Sequence, residues 1–261
     1  MRAAVLSSLL RDKDGTAYPL VELGDVLSSG RYGTSTKCSV SGKGLPVLRI
    51  PNLDSGKLRL SDIKYAVDTS IDLAASLVAD DDVLIIRTNG SRSLIGRAAV
   101  VSGLPQPMAF ASYLIQLRVN LDLLKPAYLV AALRSPELRV RIEDLAATTA
   151  GQYNISLSKL RSLRIPLPPL SAQGDALEVA GNLLPVCDRI DLEIGRALTR
   201  SNQLRSSILA CAFSGGFGLS DPADEPTEML LKRVAADRDA ASRDLSARIT
   251  GHRAPQEQVV I

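Results

Sequence analysis

The chain has 261 residues, of which 46% are hydrophobic and 23% are charged, and its formal net charge is +3 at pH 7. This composition is typical of globular proteins and argues against collagen, disorder throughout and a bundle of membrane helices. The unbroken apolar runs are far shorter than the roughly 18 residues that a membrane-spanning helix needs. Residues 3–10 are also too few and too polar for a signal peptide, so we expect a cytoplasmic protein.

Basic and acidic side chains are unevenly distributed along the chain. Residues 1–170 carry 21 Lys and Arg against 15 Asp and Glu, whereas residues 171–261 carry 10 against 13. This asymmetry indicates that the front part is the one to meet a polyanion such as nucleic acid. A modestly positive surface is equally common in domains that bind none, so the charge alone does not decide the function.

Short strands and helices alternate through the first 170 residues. Four segments rich in Val, Ile and Leu and bounded by Gly, Pro or Asn are predicted as strands, at residues 45–50, 82–87, 95–102 and 110–119. Four segments whose apolar residues recur at steps of three and four are predicted as helices, at residues 19–27, 70–77, 126–133 and 136–146. This mixture predicts an α+β fold built on a mixed sheet.

Pro166, Pro168 and Pro169 mark the end of this mixed region. Proline lacks an N–H group and keeps both itself and the residue before it out of a helix interior. An extended segment is therefore predicted here, and we place the end of the first domain at residue 170.

The most regular pattern in the chain follows this boundary. From residue 176 to residue 211, positions at alternating steps of four and three are apolar in ten of eleven cases. A repeat of 3.5 residues buries a narrow seam against a partner helix. The predicted seam residues are Leu183, Cys187, Ile190, Ile194, Ala197, Leu204, Ile208 and Cys211.

We expect residues 171–215 to form a long helix that pairs in a coiled coil and serves as a dimerisation and spacer element. Gly181 and Pro185 weaken its first turns, so its uninterrupted part is predicted to begin near Pro185 and to end at Phe213. Leu184 and Leu198 flank the seam and keep open the alternative of a helix that packs on its own domain, which would show a wider apolar stripe.

The remaining residues, 216–261, are predicted to form a helical C-terminal tail. The glycines of residues 214–218 are typical of a helix end, and a second helix is predicted at residues 229–249. Its interleaved Arg and Asp side chains fit a solvated helix and a docking helix equally well.

Residues that carry most catalytic chemistry are scarce in this chain. Cys38, Cys187 and Cys211 form no CxxC pair and the one histidine, His252, stands near the C-terminus, which argues against a zinc site, a disulfide framework and a catalytic triad. GxGxxG and GxxxxGK[ST] motifs are absent from the sequence, as is the Asn-Pro-Pro-Tyr run of amino-methylating enzymes. We therefore predict no catalytic residue, no metal ligand and no cofactor in this chain.

Two acidic patterns offer weak alternatives. Asp54, Asp62 and Lys64 could hold Mg²⁺ and activate water in a nuclease, although Asp-x-Lys arises easily by chance in charged loops. The run of three aspartates at residues 80–82 is typical of a turn before a strand rather than of a cation site.

Three polar loops carry the side chains best suited to reading DNA, at residues 30–37, 87–92 and 148–154. Arg can bind guanine with two hydrogen bonds, Asn or Gln can bind adenine in the same way, and Ser or Thr can bind phosphate. For any one of these residues a solvated loop or a capping role is the stronger expectation. The candidate DNA contacts are Arg31, Tyr32, Lys37, Arg49, Asn52, Arg87, Thr88, Asn89, Ser91, Arg92, Arg97, Thr148, Thr149, Gln152, Tyr153 and Asn154.

The order of these motifs resembles that of the specificity subunits of type I restriction-modification systems. The matching segments are VELGD at residues 21–25, PVLRIPNL at 46–53, DDVLIIR at 81–87, IGRAAV at 95–100, GQYNIS at 151–156, LRIPLPPL at 163–170, ILACAFSG at 208–215 and DPADEP at 221–226. No single segment is diagnostic, but the ordered series covers nearly the whole chain.

The resemblance implies a non-catalytic DNA-binding subunit that directs a methyltransferase subunit and a restriction subunit that translocates DNA. S-adenosylmethionine, Mg²⁺ and ATP would belong to those partner subunits. Members of the family usually carry two target-recognition domains joined by two antiparallel helices, whereas this sequence has one such domain and one seam helix. We therefore expect a half-length form that reads one half of a bipartite site and pairs as an antiparallel homodimer, or with a different half-length chain.

A further alternative is a decoy, in which such a chain binds the methyltransferase subunit without reading DNA. Binding to the methyltransferase subunit without a sequence-dependent DNA complex would favour it.

Overall fold

The computed structural model of the chain describes residues 1–68, 73–149, 151–217 and 225–251. In chain order the helices of these residues are α1 (Arg2–Ser8), α2 (Pro126–Leu133), α3 (Pro136–Leu145), α4 (Leu157–Arg161), α5 (Leu170–Phe213) and α6 (Thr227–Gly251). The strands are β1 (Leu20–Glu22), β2 (Leu27–Tyr32), β3 (Cys38–Ser39), β4 (Pro46–Leu48), β5 (Leu53–Asp54), β6 (Lys57–Leu58), β7 (Lys64–Ala66), β8 (Val83–Ile86), β9 (Thr88–Asn89), β10 (Ala98–Val100), β11 (Ala109–Phe110), β12 (Leu114–Val119), β13 (Ala147–Thr149), β14 (Gln152–Asn154) and β15 (Arg164–Pro166).

The central sheet has the strand order β2-β12-β8-β10-β6-β5. It is mixed, because β10 and β6 run parallel while the other neighbours run antiparallel. Smaller sheets of order β11-β4-β7-β3 and β13-β14-β9 and the pair β1-β15 complete the described strands. This arrangement confirms the predicted α+β class with a mixed sheet.

One apolar core lies between the central sheet and the helices. All four residues of β8 are at most 1% exposed, as expected for a strand that is covered on both faces. Tyr128 of α2 is fully buried, and its hydroxyl donates to the carbonyl of Leu9, 3.1 Å away. The core thus joins α1 and α2 to the sheet.

Several predicted elements are present as expected, and others are wrong. The predicted helices at 126–133 and 136–146 are α2 and α3, and the predicted strands at 45–50 and 82–87 contain β4 and β8. The predicted helix at 19–27 is instead β1, a short 3₁₀ turn and the start of β2. Its Leu20 pairs with Pro166 of β15, so a long-range strand partner overrides the local periodicity.

Other differences concern where the predicted elements begin and end, and a helix that the sequence did not predict. The predicted strand at 110–119 divides into β11 and β12, and α1 was not predicted. In the predicted helix at 70–77, residues 70–72 lie outside the described part of the chain, and residues 74–76 form a 3₁₀ turn. The predicted tail helix at 229–249 lies within α6.

Helix α5 begins earlier than predicted. It has 44 residues and contains Pro185 in its interior, so its length is about 66 Å. The expected start near Pro185 is wrong because packing offsets the lost hydrogen bond: Ala180 and Cys187 are only 3% and 2% exposed. A proline ring inside a helix clashes with the carbonyl of the residue four positions earlier. For Pro185 this residue is Gly181.

Gln173 anchors the first turn of α5. Its side-chain oxygen accepts from the backbone N–H of Lys125 at 2.8 Å, and its amide nitrogen donates to the carbonyls of Leu123 and Pro168 at 2.8 and 2.9 Å. The side chain is fully buried. One amide therefore satisfies three backbone groups and connects α5 to the segment before α2.

Replacing Gln173 with alanine is expected to lower the free energy of unfolding by about 2–3 kcal/mol, because it leaves buried backbone groups without partners. Chemical denaturation of the full chain measures this change. The exposed Gln203, also on α5, provides the same substitution without burial and is expected to cost less than about 0.5 kcal/mol. Equal losses for the two variants would contradict the anchoring role.

The chain separates into two compact units, Met1–Ile194 and Gly195–Ile261, and the division falls within α5. Among the described residues, no helix is both long and apolar enough to cross a membrane.

Candidate nucleic-acid interface

Two of the three predicted loops form one small sheet, made of β9, β13 and β14. Strand β14 lies in the middle, with Asn154 opposite Thr88 and Tyr153 opposite Asn89. On its other side β14 pairs with β13, and Gly151, which directly precedes β14, has φ of 76°. This left-handed conformation costs glycine little, which explains why a glycine stands there.

Side-chain hydrogen bonds orient the polar groups of the small sheet. The Thr88 hydroxyl donates to Oδ1 of Asn154 at 2.9 Å, and Oδ1 of Asn89 accepts from the backbone N–H of Ser91 at 2.8 Å. Both asparagine oxygens are thus occupied by the protein. Their amide nitrogens make no hydrogen bond within the described part of the chain and remain donors for another acceptor.

Tyr32 brings the third predicted loop to the same place. The guanidinium of Arg87 lies over its ring, 4.5 Å from the centroid, and its hydroxyl accepts from the backbone N–H of Leu157 at 2.9 Å. Arg87 directly precedes β9, and its carbonyl accepts from Ile155 at 2.9 Å. Because stacking on an aromatic ring fixes the plane of a guanidinium, Arg87 is held in one orientation beside the small sheet.

Four predicted contacts either bond to other parts of the fold or lie outside the small sheet. Asn52 is fully buried, and its amide donates to the carbonyls of Arg59 and Ser61 at 3.0 and 3.2 Å. Arg49 pairs with Asp62 at 3.5 Å. Arg31 donates to the side chain of Gln116 and to the carbonyl of Leu77, and Lys37 precedes β3 of a different sheet.

Arg92 and Arg97 lie next to the small sheet but contact other elements. Arg92 pairs with Asp144 at 3.2 Å and with Glu143 at 3.7 Å, and its side chain is 47% exposed. Arg97 donates from Nε to the carbonyl of Ser93 at 3.2 Å. Exposed ion pairs of this kind contribute about 1 kcal/mol or less, so Arg92 can exchange a carboxylate for a phosphate at little cost.

The structure brings an additional residue to this site that the sequence analysis missed. Tyr113 lies in the turn before β12, and its carbonyl accepts from the backbone N–H of Arg87 at 2.9 Å. Its side chain is 55% exposed. The signal available in the sequence was an aromatic residue with a polar tip in a turn between two apolar strands.

The side chains of the small sheet and its flanking turns are uncharged or basic. Residues 87–92 and 148–154 contain two arginines and no Asp or Glu, and Gln152, Gly90 and Ser91 are exposed. The side chain of Thr149 lies outside the described part of the structure. The arrangement offers neutral donors and acceptors next to positive charge, which is the chemistry that base edges and phosphates require.

The acidic alternatives do not assemble into a site. Asp62 is paired with Arg49, Asp54 accepts from the Ser55 hydroxyl at 3.1 Å, and Lys64 belongs to a different sheet from Asp54. Within the described ranges, no group of three His, Cys, Asp or Glu side chains could hold a metal ion. His252 lies outside those ranges.

The predicted seam on α5 has two distinct parts. Toward the start, Ala180 and Cys187 are buried, and Ala176, Leu177 and Leu184 pack against the core. The other large apolar seam residues are 37–58% exposed, and they are Leu183, Ile190, Ile194, Leu204 and Ile208. Ala197 is exposed and Cys211 is partly buried.

Two valines extend this exposed stripe. Val179 and Val186 are 48% and 50% exposed and stand four and three residues from Leu183. Near the start of the helix, the outward apolar positions are therefore 179, 183, 186 and 190, and Val186 rather than Cys187 continues the stripe.

Comparisons with known proteins agree on one family. The model of the type I restriction modification DNA specificity domain matches residues 18–182. The chain is 30% identical over 232 residues to the type I restriction enzyme EcoKI specificity subunit of Escherichia coli K12, covering 85% of this chain and 50% of that protein. It is 28% identical over 240 residues to the type I restriction enzyme StySPI specificity subunit of Salmonella potsdam, covering 90% and 52%.

A solved structure described as "Structural basis underlying complex assembly and conformational transition of the type I R-M system" has the same fold. It aligns with a TM-score of 0.58 at 20% identity over 80% of this chain and 50% of that chain. The chain spans about half the length of these relatives.

Proposed function

The chain belongs to the type I restriction modification DNA specificity domain family, and we propose that its small sheet reads base pairs in double-stranded DNA. The observation that carries this proposal is the convergence of three separate polar loops on one surface, formed by Tyr32, Arg87 and the strands β9, β13 and β14.

Each side chain has a role that follows from its chemistry. Arg87, with its plane fixed by Tyr32, is suited to the two acceptors of guanine, and Gln152 is suited to adenine. The amide nitrogen of Asn154 is suited to donate to a single base acceptor, because its oxygen already accepts from Thr88. Arg92 and Arg97 are suited to phosphates beside the recognised bases. Each good base contact contributes about 1–3 kcal/mol of discrimination, whereas phosphate contacts add affinity that falls with salt.

We further propose that the chain is not itself an enzyme. Residues 1–170 act as the target-recognition domain, 171–215 as the dimerisation and spacer helix and 216–261 as the helical tail. The chain directs a methyltransferase subunit and a restriction subunit. Those partner subunits, and not this chain, bind S-adenosylmethionine, Mg²⁺ and ATP. The specificity-subunit names of its relatives support this division of labour.

The exposed apolar residues of α5 support pairing with another helix. Because a coiled-coil seam needs a partner, we propose an antiparallel pair with a second copy of the chain. Two identical recognition domains would then face DNA segments about one helical turn, roughly 34–36 Å, apart. The site read by such a pair is an interrupted palindrome.

Replacing Gln152 with alanine tests base recognition, because this side chain is exposed and makes no hydrogen bond to the described part of the chain. We expect about a 10- to 100-fold loss of affinity for the recognised site and no change for unrelated DNA, measured by fluorescence anisotropy at fixed salt. Gln106, exposed in a distant turn, provides the matched substitution. A loss that is equal for specific and unrelated DNA would refute base reading by Gln152.

A further inference from the structure

Two cavities adjoin on the surface formed by α1, α2, α3 and the first half of α5. One has a volume of about 560 Å³ and is lined by four arginines and one glutamate, which are Arg2, Arg97, Arg134, Arg139 and Glu143. The other has a volume of about 710 Å³, and its lining is mainly apolar, with Leu58, Val100, Val130, Leu177, Leu184 and Pro185, but also contains Asp54, Lys57 and Asp188 at its walls. Ser55, Gly56 and Arg134 belong to the walls of both.

The charges of the arginine cavity are only partly balanced by the protein. Arg2 pairs with Asp188 at 3.0 Å, and Arg139 pairs with Glu143 at 3.2 Å. Within the described ranges, the guanidinium of Arg97 donates one hydrogen bond, to the backbone carbonyl of Ser93, and forms no ion pair. The guanidinium of Arg134 has no hydrogen bond or ion pair to any residue in the described part of the chain, although it is half-buried.

The surroundings of Arg134 disfavour its unpaired charge. Burial lowers the pKa of its guanidinium, and the charge of Arg2 lowers that pKa further while Asp188 opposes the change. An anionic group placed in the cavity would relieve both effects. Since a guanidinium offers several donors in one plane, a carboxylate can accept two of them at once.

The wall between the cavities packs closely against Arg134. Ser55 and Gly56 form the turn between β5 and β6 with φ of 50° and 95°, and a Cβ added to Gly56 would stand 3.1 Å from Val130 and 3.5 Å from Nη1 of Arg134. Arg134 therefore lies where the charged cavity meets the apolar one.

We infer that this double cavity binds a segment of a partner protein that presents a carboxylate next to apolar side chains, with the carboxylate at Arg134. A DNA backbone could neutralise the arginines, but its sugars and phosphates have no groups that would fill the apolar cavity. A protein segment supplies both. The inference rests on the proposed function for the identity of that partner, which we take to be the methyltransferase subunit.

Gly181 provides a way to close the apolar cavity without disturbing the fold. It lines that cavity on α5, and nothing lies within 4 Å of a Cβ added to it. Leucine has a higher helix propensity than glycine, so Gly181→Leu is expected to fold at least as stably as the wild type. Gly174 on the same helix also has open space around its Cβ but does not line either cavity, and Gly174→Leu is the matched control.

The test measures binding of the full-length chain to its methyltransferase subunit by calorimetry, and binding of the chain alone to specific DNA. We expect Gly181→Leu and Arg134→Glu each to weaken the protein association at least tenfold. Gly174→Leu should bind like the wild type. The DNA affinity of the three variants should be unchanged.

The other outcomes overturn the inference in distinguishable ways. If Gly181→Leu and Arg134→Glu both bind the methyltransferase subunit as tightly as the wild type does, the docking site is refuted and the proposed function is left intact. Failure of the wild-type chain itself to bind the methyltransferase subunit would refute the proposed partner, and the inference with it. A lower DNA affinity and a flatter salt dependence for Arg134→Glu in the absence of the partner would show that the cavity holds a DNA phosphate instead.

Discussion

Replacing Asp82 with alanine is expected to lower the free energy of unfolding by about 3 kcal/mol. Asp82 is fully buried, and its carboxylate accepts from Nε and Nη2 of Arg118 at 2.8 and 3.1 Å. It also accepts from the backbone N–H of Ala79 at 2.8 Å and from the side chain of Gln116. Removing one member of a buried charged network leaves the others without partners, which typically costs 3–5 kcal/mol, and the half-exposed Arg118 places this case at the lower end.

The same network extends to β2, an edge strand of the central sheet. Gln116 accepts from Nε of Arg31, so the chain of bonds links β2, β12 and the turn before β8. The bond from Arg118 to Asp82 raises the pKa of the Arg118 guanidinium, which therefore stays charged throughout the accessible pH range.

Urea denaturation of the full chain checks the Asp82 prediction, and Asp122→Ala is its matched control. Asp122 is exposed, so the same chemical change there is expected to cost less than about 0.5 kcal/mol. A loss below about 1 kcal/mol for Asp82→Ala would mean that the buried carboxylate does not hold the strands together.

The second large effect is expected at the exposed stripe of α5. Ile194→Asp would place a carboxylate in the proposed seam, and burying an unpaired charge costs about 3 kcal/mol or more. The dissociation constant of the pair should therefore rise by at least about 100-fold. Since each chain carries one recognition domain, affinity for the complete bipartite site should fall with it.

Leu192 provides the control for this substitution, because it is 54% exposed but stands two residues from both Ile190 and Ile194, on the other side of the helix. Leu192→Asp is expected to leave pairing unchanged. Sedimentation velocity over a range of concentrations measures both variants. A paired Ile194→Asp chain would contradict the proposed seam, and monomeric wild type at high concentration would contradict pairing altogether.

Local signals account for the elements that were predicted well. Helix α3 begins after Ser135, whose hydroxyl accepts from the backbone N–H of Leu138 at 3.3 Å, and Pro136 stands at its first position, which is the usual composition of a helix start. The apolar run of β8 identifies a strand covered on both faces. Both features act within a few residues and are therefore visible in the sequence.

The predictions that failed depend on distant contacts. The early start of α5 depends on Gln173 reaching the backbone of Lys125 and Leu123, and β1 depends on β15. The phase of the seam changes near its start because the recognition domain covers Cys187, which periodicity alone cannot reveal. For the same reason Asn52, a polar residue three positions after Arg49, was predicted as a DNA contact although its amide is a buried structural group.

The sequence predicted which loops form the candidate site better than it predicted which side chains of those loops are available. The three loops were identified from their polar composition, and the structure brings the groups around Arg87 and Asn154 together. Which arginines remain available could not be predicted, because the partners of Arg31 and Arg92 come from β12 and α3. Tyr113 was missed because its position beside Arg87 arises only from the pairing of β8 with β12.

Selection of binding sites from random duplex DNA by the purified full-length chain tests whether the small sheet reads bases. We expect an enriched interrupted palindrome, in which the base preference at one position of each half-site is lost when Gln152 is replaced with alanine. Enrichment of no sequence, or of the same sequence with undiminished preference after changes at Gln152, Arg87 and Asn154, would contradict base reading by the small sheet.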